Sequence, residues 1–193
     1  MATTSLSMSP NTRTGVSNGV LGVLILIGTE IMFFSGLISS YLVNRVSSNL
    51  PWPPPGQPRL PVGITAGNTI ILLLSGLLFY LVAVGKIEDK KKALIYARVS
   101  VLLGAVFLFI QGFEWIRLIG YGITVHSSLF GAFFYTLIGA HGLHVFGGIL
   151  AIFPILLKKE NELFDYKTLT AAGLYWYFVV LVWPLLYFLL YLL

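Results

Sequence analysis

"LIGTEIMFFSGL", residues 26–37, decides what kind of protein this is. Eleven of the twelve residues sit comfortably in hydrocarbon, and the twelfth is Glu30. Placing an ionised carboxylate at the centre of a membrane helix costs at least ~2.5 kcal/mol on insertion scales. Such a group faces the inside of a bundle, carries a proton or has a partner. Two readings of Glu30 follow. It is a proton-active or regulatory carboxyl, or it is a protonated, hydrogen-bonded structural residue.

The surrounding composition agrees that the solvent is lipid. The chain has 193 residues, 57% hydrophobic and only 10% charged, with a mean hydropathy of +0.89. Soluble domains carry about 25% charged residues. Cysteine is absent, which excludes disulfides, thiolate ligands and a cysteine nucleophile. The net charge of +5 reads as loop charge that sets orientation. No basic groove with interleaved aromatics is present, so nucleic acid is not an expected partner.

A bilayer core about 30 Å thick needs roughly 20 apolar residues in a helix. Five segments meet that length: about 20–43, 66–84, 98–117, 129–157 and 171–193. The expected fold is therefore all-α, a polytopic bundle of five transmembrane helices. Residues 1–16 read as a disordered polar tail without the apolar core of a signal peptide, and 17–193 as one unit. "SSNLPWPPPGQPRLP" (47–61) is a proline-rich loop, while "KIEDKKK" (86–92) and "KKENELFDYK" (158–167) read as charged turns. With alternating sides, nine Lys and Arg residues face three. That bias puts the N-terminus in the cytoplasm and the C-terminus outside.

The remaining polar residues within spans are few. "GAHGLHVFGG" (139–148) places His141 and His144 three apart on the fourth span. His144 lies at a depth similar to Glu30, which makes a contact between them geometrically possible. Two such histidines can ligate a metal or haem, but no further ligand set is evident, and hydrogen-bonded packing is the simpler reading. The glycines around them allow close approach of another backbone. Gln111, Glu114 and Arg117 fall at steps of three on the third span, where Glu114 and Arg117 can pair near the outer interface. Tyr175, Trp176 and Tyr177 open the fifth expected span and read as an interfacial belt. Pro184 is expected to kink that helix. No nucleotide loop, catalytic triad or zinc motif occurs, so no catalytic residue is expected in this chain.

Read in order, these motifs resemble one family, subunit III of the haem–copper terminal oxidases. "GTEIMFFSGLISSYL" is similar to its glutamate-bearing helix and "WPPPG" to the loop after it. "NTIILLLSG", "FIQGFEW", "GAHGLHVFGG" and "AAGLYWYFVVLVW" resemble the helices that follow. The resemblance implies a subunit that binds no haem or copper of its own. It would pack against catalytic subunit I, beside subunit II, in a bacterial cytoplasmic membrane. Subunit I would reduce oxygen to water and pump protons, with haem and copper held in those partners. The subunit would stabilise that partner and sustain its proton uptake.

Longer members have seven helices and bind phospholipid in a cleft, and this chain is similar to the five-helix bacterial forms. Glu30 then falls on the family's buried glutamate, Gln111 and Glu114 on its polar pair, and His141 and His144 on its paired histidines. Trp176 and Trp183 fall on its last-helix tryptophans, and with Trp52 they are expected at an interface or in contact with lipid. Thr170, Tyr177 and Val180 stand where the family often has Glu, His and Asp, which thins any polar network in the last helix. Two other classes fit the residues: an accessory protein of nitric oxide reductase, and an independent channel or transporter built around Glu30 and His144.

Overall fold

The computed structural model describes residues 17–48, 51, 52, 54, 60–157 and 166–193. The expected tail at 1–16, most of the proline loop and the stretch 158–165 lie outside the described residues. Among the described residues, five helices are long and apolar enough to cross a membrane. They are α1 (Asn18–Ser47), α2 (Val62–Ala83), α3 (Lys90–Gly120), α4 (Leu129–Leu156) and α5 (Tyr166–Tyr187). The chain ends in a π-helical turn, Phe188–Leu192.

The helices overrun the apolar stretches that announce them. α3 has 31 residues because it starts within the charged cluster, not after it. Lys90, Lys91 and Lys92 form its first turn, where the helix dipole disfavours positive charge. Asp89 offsets this as the N-cap, its carboxylate accepting from the N–H groups of Lys91 at 2.9 Å and Lys92 at 3.4 Å. "KIEDKKK" is thus half turn and half helix. Gly85 and Gly122, just beyond the C-termini of α2 and α3, have φ of 67° and 89°. A side chain would be strained there, and both glycines reverse the chain after a helix. α5 continues as a helix through Pro184 before its final turn widens.

α2 packs against α3 and α5, α4 against α3 and α5, and α1 against α5 and more lightly against α4. Only Phe34 and Tyr41 of the thirty residues of α1 are buried, so α1 lies on the flank of a four-helix core.

At the centre of that core is Trp176, fully buried. Its indole slots between two helices at positions where neither carries a side chain. A Cβ on Gly104 of α3 would stand 2.7 Å from the ring, and one on Gly148 of α4 would stand 2.8 Å from it. The glycines admit an aromatic plate where close backbone approach was expected. The indole N–H donates to Ser75 Oγ at 3.2 Å. Ser75 Oγ donates in turn to the carbonyl of Ser100 at 2.7 Å, and Ser100 Oγ donates back to the carbonyl of Ser75 at 2.7 Å. This reciprocal pair ties α2 to α3 inside the apolar bundle.

Candidate functional site

Glu30 and His144 meet between α1 and α4, although 114 residues separate them in the chain. Glu30 Oε2 lies 2.7 Å from His144 Nε2, and His144 Nδ1 lies 2.6 Å from the carbonyl of Ala140 one turn earlier. A carbonyl only accepts, so Nδ1 carries a hydrogen. Contact at 2.7 Å then requires one proton between Oε2 and Nε2, formally on either atom. With the other carboxyl oxygen unprotonated the pair is neutral as a whole, which hydrocarbon tolerates far better than a single charge. Phe34 meets the imidazole edge-on at 5.1 Å between centroids, and Phe33 lies at 6.1 Å. The carboxyl and the imidazole keep 20% and 18% of their exposure. The pair therefore sits at the rim of the bundle and not in its interior, because α1 is covered on one side only.

The pairing makes a graded mutational prediction. Glu30→Gln is expected to leave assembly largely intact, since an amide N–H can donate to Nε2 in the carboxyl's place. Glu30→Ala leaves Nε2 without a partner and is expected to cost roughly 1–2 kcal/mol. Heat inactivation of the assembled protein reads the difference. Equal inactivation of wild type and both variants would refute the role of the contact.

His141 points elsewhere. Residues three apart on a helix are offset by about 60°, and α4 has a different neighbour on each side of that angle. His144 reaches α1, while His141 stacks on Trp183 at 5.0 Å between centroids and meets Phe107 edge-on at 6.0 Å. The two histidines thus do not form one site. His141 is 1% exposed, and neither ring nitrogen has a hydrogen-bond partner among the described residues. His144 is hydrogen-bonded within the protein, whereas His141 packs by ring stacking with no protein hydrogen-bond partner among the described residues. Among the described residues no group of three His, Asp or Glu side chains is placed to hold a metal ion.

Gln111 and Glu114 are buried, but Arg117 is not: its side chain keeps 42% of its exposure while bonding Glu114 Oε1 at 3.0 Å. Its position near the end of α3 lets the guanidinium reach outward along its own stem. Gln111 Nε2 donates to the Tyr191 hydroxyl at 3.3 Å, and Asn68 Nδ2 donates to the carbonyl of Phe107 at 3.1 Å.

The tryptophans divide. Trp52 is half-buried, its N–H donating to the Tyr41 hydroxyl at 3.3 Å. Trp176 and Trp183 are interior plates with no exposed surface, contrary to the belt and lipid contact expected of them. α5 begins at Tyr166, five residues before the start read from the sequence, which sinks Trp176 deeper into the span. The Trp183 N–H donates to Thr69 Oγ1 at 2.8 Å.

Sequence reasoning missed Ser75, Ser100, Asn68 and Thr69. Their signal was available: hydroxyls and an amide on one stripe of α2 and α3, in otherwise apolar spans. It also missed Tyr41 and Arg45, which bind the carbonyls of Leu189 and Leu193 and so fasten the end of the chain to α1.

The chain matches the family described as cytochrome c oxidase subunit III over residues 4–193, a span that begins inside the stretch read as a tail. It is 33% identical to a probable cytochrome c oxidase subunit 3 of Nocardia farcinica, covering 84% of this chain and 82% of that one. It is 33% identical to cytochrome c oxidase subunit 3 of Thermostichus vulcanus, with 90% and 87% covered. The Synechocystis protein of the same name is 34% identical, with 100% and 88% covered. A match over nearly the whole length, on a bundle of five apolar helices, makes this chain a member of the cytochrome c oxidase subunit III family, a non-catalytic membrane subunit of a terminal oxidase.

Proposed function

We propose that this subunit braces the catalytic subunit I of its oxidase by direct helix packing, beside subunit II, and sustains proton uptake there. Haem and copper belong to those partners, and phospholipid fills the remaining apolar perimeter. Residues 17–193 act as one unit in a bacterial cytoplasmic membrane, with the N-terminus inside and the C-terminus outside. The observation that carries this reading is the use made of Glu30. The carboxyl that is central to α1 is engaged in holding that helix to α4 through His144. A channel would leave such a group facing an open aqueous path. The apolar flank of α1, with Ile25, Met32 and Val46 all exposed, gives partner helices or lipid a surface to cover.

Mild-detergent capture of the tagged chain, followed by mass spectrometry and a haem spectrum, tests the reading. The expected result is recovery with a larger haem-bearing protein that holds all of the redox absorbance. Recovery with nitric oxide reductase subunits, or of a coloured and redox-active chain on its own, would overturn it.

A further inference from the structure

We propose that ordered water is bound inside this subunit, between α2, α3 and α4, with His141 and Asn68 as its protein ligands. His141 is 1% exposed and Asn68 is 2% exposed. Among the described residues, His141 Nδ1, His141 Nε2 and Asn68 Oδ1 have no hydrogen-bond partner. A neutral imidazole always presents one donor and one acceptor, and an amide oxygen presents two lone pairs. Native interiors leave few such atoms unmatched, because a dry polar group forfeits the hydrogen bonds it made in water.

The packing explains why protein groups do not supply the partners. Trp183 covers one face of the imidazole, with planes 28° apart, and Phe107 meets it at 85°. Ring nitrogens lie in the plane of the ring, so stacking on a face leaves the rim free. His144 satisfies its Nδ1 through the carbonyl of Ala140, a contact with no counterpart at His141. Asn68 belongs to the same layer. Its amide N–H reaches the carbonyl of Phe107, and its neighbour Thr69 accepts from Trp183. Asn68 and His141 thus approach Phe107 from α2 and α4, Asn68 at its carbonyl and His141 at its ring.

Water suits these groups better than a cation. A bound water joins two to four polar groups, and it can donate to the bare ring nitrogen or accept from the protonated one. No carboxylate is among the buried unmatched atoms of the described residues to neutralise a metal ion. A polar file also leads toward the surface. Asn68 Nδ2 lies 3.5 Å from Gln111 Oε1, Gln111 donates to Tyr191, and Glu114 one turn on is bonded to the exposed Arg117. The site lies within this one chain, so it does not depend on which subunits surround it.

A density map of the intact oxidase, at a resolution where buried waters are visible in other subunits, tests the proposal. The expected result is a peak about 2.7–3.2 Å from a His141 ring nitrogen and from at least one second polar atom. That peak should vanish in His141→Phe, which keeps the stack on Trp183 and removes both nitrogens. An interior without such a peak in the wild-type map overturns the proposal, whether or not the variant assembles. A peak unchanged in His141→Phe overturns it too, because the water would then be held by other groups.

Discussion

Trp176→Ala is expected to destabilise the bundle by about 3–5 kcal/mol, the range for deleting a fully buried tryptophan. The indole is the plate on which α3 and α4 close, and its N–H enters the Ser75–Ser100 pair that joins α2 to α3. Its removal therefore opens a cavity and leaves Ser75 one donor short. Denaturant unfolding in micelles, followed by helical circular dichroism, measures the loss. A second substitution makes the test specific. Gly104→Val alone overpacks the site and is expected to cost about 1–3 kcal/mol. In the Trp176→Ala background the same change fills the cavity and should restore stability. That reversal of sign is the signature of direct contact. Simple additivity of the two changes would show that the plate does not sit between the glycines.

Trp183→Ala carries the second large effect, again about 3–5 kcal/mol. Trp183 stacks on His141, meets Phe107 at 4.9 Å, and donates to Thr69. Thr69→Val separates the parts of that loss. It preserves the plate and its stacking but leaves the buried indole N–H without an acceptor, at about 1–3 kcal/mol. Unfolding under the same conditions should rank Trp183→Ala well below Thr69→Val, and Thr69→Val below wild type. Equal stability of Thr69→Val and wild type would remove the hydrogen bond from the account.

The spans were legible because bilayer thickness converts directly into residue count, and the Glu30–His144 contact was legible only as a geometric possibility, because matched depth is the one coordinate that a helical sequence carries. What depth omits is the angle around each helix axis. His141 and His144 differ by only about 60° in that angle, yet one meets α5 and the other α1. Span boundaries were misplaced for a related reason. Hydrophobicity marks where lipid begins, whereas hydrogen bonding and capping mark where a helix begins. Lys90 and Tyr166 start helices outside the apolar stretch. The shift at Tyr166 puts Trp176 about 15 Å along α5, too deep for a belt residue. Arg117, grouped with Gln111 and Glu114 on the third span, is exposed because it lies in the last turn of α3.

The tie between Glu30 and His144 has a consequence for biosynthesis. Translation at roughly 5–20 residues per second needs on the order of ten seconds to cover the 114 residues between them. During that interval the nascent first helix must cross the insertion machinery with its carboxyl unmatched. The arrival of α4 ends that exposure, so a ribosomal pause between the two segments would lengthen the window for quality-control proteolysis.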